Sequence, residues 1–133
     1  MIVLDASLVI ELLANSPLAA TIRGDLAERD EPFIAPHLLD LEVANVLRNL
    51  RTADRIEASR CERILEELAA FPAERRAHTP LLGRIWELRH NFTAYDAAYI
   101  ALAETTGATL YTCDAKLRKG HRAKVVVFSS RPN

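Results

Sequence analysis

Short apolar runs alternate along the chain with longer stretches in which apolar residues recur at helical spacing. The runs at 2–4, 110–113 and 124–128 are too continuous for half-exposed strands, so they predict strands buried on both faces, as in a parallel sheet. The segment 32–35 predicts a fourth strand. The segment 75–78 predicts a fifth, which we place at an edge of the sheet.

The stretches between these runs predict amphipathic helices. One helix is expected over 7–14, and the others follow five apolar stripes: Leu18, Ile22, Leu26; Leu39, Val43, Val46, Leu47, Leu50; Cys61, Ile64, Leu65, Leu68; Leu81, Leu82, Ile85, Leu88; and Tyr95, Ala98, Tyr99, Leu102. Thr79-Pro80 predicts a helix start and Gly107 a helix end. Trp86 lies roughly 110° off its stripe, which favours either a partner-facing position or the border of the core.

Strands that alternate with helices predict an α/β fold with a central, mostly parallel β-sheet flanked by helices. The 133 residues contain no internal repeat, low-complexity segment or linker. We therefore expect a single domain over residues 1–133.

Two carboxylates stand where predicted strands end. Asp5 closes the run 2–4, and Asp114 follows the run 110–113. In a parallel sheet the carboxyl ends of the strands share one edge, and ligands bind outside that edge. The sequence thus predicts that Asp5 and Asp114 lie on the same rim.

Further acids fall on two of the predicted helices. Thr93 is a suitable N-cap, which places Asp96 in the first turn of its helix. On the helix that follows Pro36, Glu42 lies roughly 80° to one side of the apolar stripe and Asp40 roughly 80° to the other. Periodicity does not choose between them.

Carboxylates that share one rim repel each other and favour a bound cation. Oxygen ligands without accompanying His or Cys are typical of a hard ion such as Mg²⁺ or Mn²⁺. Such ions serve phosphodiester chemistry, so the acids predict a metal-dependent reaction at phosphate.

Each acid also has a structural interpretation. Asp114 could cap a short helix, Asp96 could form a capping box with Thr93, and Glu42 could be a solvated helix residue. For Asp5, which ends a buried strand among apolar neighbours, we expect a functional role and not a structural one.

The net charge is −1, so any contact with nucleic acid must come from a local patch. A basic run beginning beside Asp114 is the candidate RNA-binding segment, with a solvated surface loop as the alternative. Its members are Lys116, Arg118, Lys119, Arg122 and Lys124.

The cysteine content and the apolar segments indicate the cellular compartment of the protein. Two cysteines, Cys61 and Cys113, form no disulfide framework and indicate a reducing compartment. The apolar start lacks a basic region and is interrupted by Asp5 and Glu11, which argues against a signal peptide. No apolar run reaches the length of a membrane span. We expect a cytoplasmic protein.

Three stretches carry a resemblance to a known family: "MIVLDASLVIELL", "LLDLEVANVL" and "FTAYDAAYIALAETTGATLYTCDAKL". Together they resemble PIN-domain ribonucleases, and among these the VapC-like toxins of prokaryotic toxin–antitoxin pairs. The similarity covers nearly the whole chain, and the third stretch is its most specific part.

The resemblance implies four acids around one or two Mg²⁺ or Mn²⁺ ions: Asp5, Glu42, Asp96 and Asp114. It favours Glu42 over Asp40, and it implies that Ser7 and Thr112 support the carboxylates or the metal. Capping and strand-end hydrogen bonding are the alternative roles for these two hydroxyls. Many relatives carry a further acid soon after the fourth. Here Ala115 and Lys116 follow Asp114, so a second ion is expected to bind weakly or only with substrate.

The implied activity is an endoribonuclease that hydrolyses RNA phosphodiester bonds as the toxin of a VapBC-type pair. The implied partners are an RNA substrate, a VapB-like antitoxin whose tail places a cation among the acids, and a second copy of the chain in a homodimer. Two alternatives remain open: a catalytically silent PIN-like module that binds RNA or protein, and a PIN nuclease of RNA processing unrelated to toxins. A haloacid-dehalogenase-type phosphatase is disfavoured because Ser7 stands where its second Asp is needed.

Overall fold

A computed structural model, which describes residues 1–129, contains one five-stranded sheet with every neighbouring pair parallel. The strands are β1 (Ile2–Leu4), β2 (Phe33–Pro36), β3 (Ala73–Arg76), β4 (Thr109–Thr112) and β5 (Val125–Val127). Their spatial order is β3-β2-β1-β4-β5. The expected parallel α/β sheet is thereby confirmed, and residues 130–133 lie outside the described part of the chain.

Six α-helices flank the sheet over the described residues. They are α1 (Ala6–Leu13), α2 (Ala19–Arg29), α3 (Leu38–Thr52), α4 (Ala58–Ala69), α5 (Leu82–Glu87) and α6 (Ala94–Thr106). Within residues 1–129, none of the helices is both long and apolar enough to cross a bilayer. As predicted, α6 ends at Gly107, whose φ of 72° lies in the left-handed region that glycine adopts without strain.

The central strand β1 divides the core into two layers. Its side chains alternate between faces, because successive residues of a strand point to opposite sides. Ile2 and Leu4 pack in a cluster with residues of α1 to α4, whereas Val3 packs with residues of α5 and α6. All three are fully buried. The apolar run at 2–4 is therefore continuous because helices cover both faces.

The two edge strands differ from their sequence predictions in detail. The strand predicted at 75–78 lies at an edge as expected, but it spans Ala73–Arg76 because its pairing with β2 begins at Ala73. The residues of β5 are half-buried and not fully buried, since β5 has a neighbour on one side only. The helix start predicted at Thr79-Pro80 is a 3-10 turn, and α5 itself begins at Leu82.

Three stripe residues expected in the core are exposed instead. Leu82 is 53% exposed, Tyr95 60% and Leu65 40%, although the rest of each stripe packs inward. The sheet and neighbouring helices cover only part of each helix, so residues at the margin of a stripe emerge at the surface. Trp86, 67% exposed, lies at the surface and not at the border of the core.

Candidate active site

Asp5 lies at the junction of β1 and α1, with 5% of its surface exposed. Its extended backbone allows the side chain to cap α1, and Oδ1 accepts the Leu8 N–H at 3.0 Å and the Ser7 hydroxyl at 2.7 Å. The Thr112 hydroxyl donates to Oδ2. Contrary to the expectation for this residue, Asp5 has a structural role as well as a position in the candidate site.

The two predicted supporting hydroxyls connect β1 to β4. Ser7 Oγ accepts the Cys113 N–H at 3.0 Å while its own proton goes to Asp5. Thr112 Oγ1 accepts the Asp114 N–H at 3.0 Å and lies 3.3 Å from Ser7 Oγ. Both hydroxyls donate to the Asp5 carboxylate and also accept a backbone N–H at the end of β4. Ser7 and Thr112 therefore combine the two predicted roles, support of a carboxylate and strand-end hydrogen bonding.

Asp114 follows β4 at the same edge of the sheet, as its place after a parallel strand predicts. Its carboxylate caps the 3-10 turn Ala115–Arg118 by accepting the Lys116 N–H at 3.0 Å. Lys116 Nζ also lies 3.8 Å from Oδ2. The capping interpretation is therefore correct, and it leaves the half-buried side chain beside the other acids.

The structure separates the two acids of α3 that periodicity left open. Asp40 points away from the site and pairs with Arg75 at 2.9 Å. Glu42, on the other side of the stripe, lines the same cavity as Asp5. The α3 acid of the candidate site is Glu42.

Asp96 reaches this edge because α6 runs antiparallel to the strand that follows it. Since α6 leads directly into β4, the helix starts at the edge where the parallel strands end. Thr93 Oγ1 accepts the Asp96 N–H at 3.1 Å and caps the helix as predicted. Asp96 itself is half-buried in the cavity wall.

All four predicted acids line one cavity of about 240 Å³. Its other lining residues are Ala6, Ser7, Ile10, Asn45, Val46 and Tyr99. Asn45 and Tyr99 were not among the predicted site residues. Each stands three positions after a predicted acid, Glu42 or Asp96, and the i, i+3 spacing that puts both on one helix face is the signal that could have found them.

Burial and mutual repulsion raise the pKa of three of the acids. The pKa of Asp5 rises to about 6, chiefly through burial, against its three hydrogen bonds and with a contribution from the Asp96 charge. Burial and the Asp114 charge raise the pKa of Asp96. Burial and the Asp96 charge raise that of Glu42, and the Tyr99 phenol opposes the rise. The acids therefore act on one another electrostatically, which indicates a site that favours a cation.

The chemistry of the donor set fits Mg²⁺ or Mn²⁺, because carboxylates and hydroxyls line the cavity without His or Cys. In the part of the chain that the structure describes, no three His, Cys, Asp or Glu side chains already form a ready-made ligand group.

The predicted basic run divides between two environments. Lys116, Arg118 and Lys119 are exposed on the turn beside Asp114. The backbone N–H of Arg122 bonds Glu104 at 2.7 Å, and its Nε lies 3.7 Å from the same carboxylate. Lys124 precedes β5 and so stands at the opposite edge of the sheet from the acids. Only the first part of the run lies near the cavity.

Comparison with known proteins agrees with this geometry. The model of the PIN domain family matches residues 2–122, so the chain belongs to the PIN domain family. The structure is similar to the crystal structure of PAE2754 from Pyrobaculum aerophilum, with a TM-score of 0.69 and 25% identity, over 93% of this chain and 81% of that one.

Curated relatives are more similar still. Ribonuclease VapC9 of Mycobacterium tuberculosis is 40% identical over 117 residues, which is 88% of each chain. Ribonuclease VapC12 of the same species is 35% identical over 127 residues, covering 94% of this chain and 97% of its own. These similarities confirm the expected resemblance to VapC ribonucleases.

Proposed function

We propose that this PIN-domain chain is an endoribonuclease, the toxin component of a VapBC-type toxin–antitoxin pair, which hydrolyses RNA phosphodiester bonds with Mg²⁺ or Mn²⁺. The observation that carries the proposal is the convergence of Asp5, Glu42, Asp96 and Asp114 on one cavity. They come from two strand ends and two helices, so no single local motif accounts for their meeting.

The chain's own residues have distinct proposed roles. Asp5, Asp96 and Asp114 would hold one ion, directly or through water, and Glu42 would hold a second ion or orient the attacking water. A bound divalent ion supplies activation of water and stabilisation of charge on the phosphate oxygens. Ser7 and Thr112 fix the Asp5 carboxylate through hydrogen bonds to both of its oxygens. Lys116, Arg118 and Lys119 would bring the RNA backbone to this edge.

The test is cleavage of total cellular RNA by the purified chain in Mn²⁺, Mg²⁺ or EDTA. Asp96→Asn and Glu42→Gln should abolish cleavage or reduce it at least about 100-fold, since each removes a charge that the reaction needs. Asp40→Asn is the matched control, because it neutralises an acid of the same helix outside the cavity. Identical fragment patterns from wild type and Asp96→Asn would contradict the proposal, and mapped fragment ends would identify the RNA target.

The proposed antitoxin would neutralise the chain by placing a cationic side chain in the cavity. Burial raises the pKa of Asp5, Glu42 and Asp96, so a Lys or Arg inserted there would relieve the repulsion among them. Production of the chain in a bacterial host should arrest growth, and co-production of its antitoxin should restore growth. Growth arrest that persists in Asp96→Asn would show that toxicity does not depend on the site.

We also propose a homodimer, with residues 1–133 forming one domain of each subunit in the cytoplasm. Leu41, Leu82 and Tyr95 are exposed and line one apolar groove between α3, α5 and α6, and Trp86 is exposed one helical turn after Leu82. An exposed apolar group of this kind is typical of an interface. Sedimentation equilibrium should show a dimer that Trp86→Ser weakens and Leu65→Ser, on α4, does not.

A further inference from the structure

Tyr99 has a buried hydroxyl that the fold leaves without a hydrogen bond. The residue is 1% exposed, and its ring packs in the core between the sheet and α5 and α6. Among residues 1–129, its hydroxyl oxygen is the one buried side-chain polar atom with no partner. The side chain nevertheless lines the acid cavity, one turn along α6 from Asp96. A buried donor in such a place needs an acceptor.

The other donors around Asp5 are already committed. Ser7, Thr112 and the Leu8 N–H all donate to the Asp5 carboxylate, so both of its oxygens have partners. Glu42 is different: its carboxylate lines the same cavity as the Tyr99 hydroxyl, which has no partner of ordinary hydrogen-bond geometry within the described residues. The Tyr99 phenol lies beside this carboxylate, near enough for each group to affect the other's protonation. Glu42 is therefore the acceptor within reach.

We propose that Tyr99 is a positioning residue whose hydroxyl donates to the Glu42 carboxylate when the acid cavity is loaded with its divalent ion. This inference rests on the proposed function, because it assigns a role within the same site. The bond would then hold the carboxylate in the one orientation that serves the ion or the attacking water, as outer-shell partners do at metal sites.

The presence of a hydroxyl on residue 99 supports a role for Tyr99 in positioning Glu42. Phenylalanine would fill the same volume of core without leaving a donor unpaired, and an unpaired buried donor destabilises a fold. In the metal-free protein the hydroxyl therefore weakens the core and contributes no hydrogen bond in return. Its benefit appears only in a state in which Glu42 is held charged and close to it.

The test compares Tyr99→Phe with Tyr111→Phe, a matched substitution in a second buried tyrosine. Tyr111 donates its hydroxyl to Asp25, on α2 and outside the acid cavity. We expect metal-free Tyr99→Phe to melt at or above the wild-type temperature, to bind Mn²⁺ about 10-fold more weakly and to cleave RNA about 10-fold more slowly, mainly in kcat. Tyr111→Phe should melt lower and keep wild-type Mn²⁺ affinity. Electron paramagnetic resonance of free Mn²⁺ gives the affinity without any cleavage assay.

A double-mutant cycle identifies the acceptor. If the hydroxyl acts through Glu42, Tyr99→Phe should have no further effect on Mn²⁺ affinity in a Glu42→Gln background, because the two substitutions remove one interaction. Additive losses would mean that Tyr99 bonds something else, and the assignment to Glu42 would be wrong.

The outcomes separate this inference from the proposed function. Wild-type Mn²⁺ affinity and cleavage in Tyr99→Phe would overturn the positioning role while the ribonuclease remained established. The positioning role would also be overturned if metal-free Tyr99→Phe melted as low as Tyr111→Phe, because the hydroxyl would then have a structural partner. A wild-type chain that binds no Mn²⁺ would overturn it as well. If wild type binds Mn²⁺ but cuts no RNA, the proposed function fails and the affinity comparison still decides the role of Tyr99.

Discussion

Replacing Asp5 with asparagine should stabilise the metal-free protein near neutral pH, even though it removes a predicted catalytic group. The pKa of Asp5 is raised from 3.8 to about 6 on folding. The folded state therefore binds this proton more tightly than the unfolded chain does. Between these two pKa values stability falls as pH rises, because the charged carboxylate is less favourable in the folded protein than in water.

The size of the effect follows from the shift. The rise of the Asp5 pKa from 3.8 to about 6 lowers the free energy of unfolding by about 3 kcal/mol at pH 7.5 and by about 1 kcal/mol at pH 4.5. Asparagine has the same shape, and its oxygen can accept from Ser7 and from the Leu8 N–H as Asp5 does. Its amide must donate to Thr112, which requires that hydroxyl to turn. Allowing for this loss, we expect a net gain of about 1–2 kcal/mol at pH 7.5, or roughly 4–7 °C in melting temperature.

The assay is thermal melting of wild type and Asp5→Asn in EDTA at several pH values between 4.5 and 7.5. The difference in stability between the two should widen by about 2 kcal/mol as pH rises across this range. Asp54→Asn, at a residue whose side chain is 89% exposed, is the control and should show no widening. A variant that melts below wild type at pH 7.5, or a difference that does not change with pH, would refute the assignment of a raised Asp5 pKa.

Three further predictions concern the metal, the core and the RNA. Mn²⁺ should raise the melting temperature of wild type more at pH 7.5 than at pH 5, because carboxylates bind the ion in their charged form; an equal rise at both would contradict this. Glu104→Gln should cost about 1–3 kcal/mol in chemical denaturation, since Glu104 pairs with Arg84 at 2.7 Å and its pKa is lowered by that partner; a neutral effect would show the pair to be dispensable. Arg118→Glu with Lys119→Glu should weaken binding of every RNA sequence and flatten its salt dependence by fluorescence anisotropy, whereas Lys124→Glu should change binding far less.

Part of the site follows from sequence pattern alone. Two acids at the ends of buried parallel strands must share an edge, and Asp5 and Asp114 do. A cap signal at Thr93 placed Asp96 in the first turn of its helix, as observed. The choice of Glu42 over Asp40 required the family resemblance. Helical periodicity gives the angle between a residue and the apolar stripe, but it does not show which element packs on that side of the helix.

The structure also shows what the pattern could not distinguish. Tyr99 belongs to an apolar stripe and its ring does lie in the core, yet its side chain also lines the acid cavity. A hydropathy pattern assigns one value to the whole residue, so it does not distinguish the apolar ring from the polar hydroxyl. Leu82 and Tyr95 fit their stripes equally well and are exposed, because the stripe does not reveal how far the covering elements extend. Arg122 lies close to Lys119 in sequence, but the chain carries it towards the far end of α6.

The strand order has a consequence for how the protein is made. The central strand β1 pairs with β4, and Asp5 is held by Thr112, a partner 107 positions further along the chain. A nascent chain that has not yet extended past β4 lacks both this pairing and Asp114. Contacts between residues so distant in sequence also form late in folding, because the intervening loop must be closed first. The acid cavity is therefore complete only after most of the chain has been synthesised, so a chain cut short before β4 would lack the proposed cleavage activity.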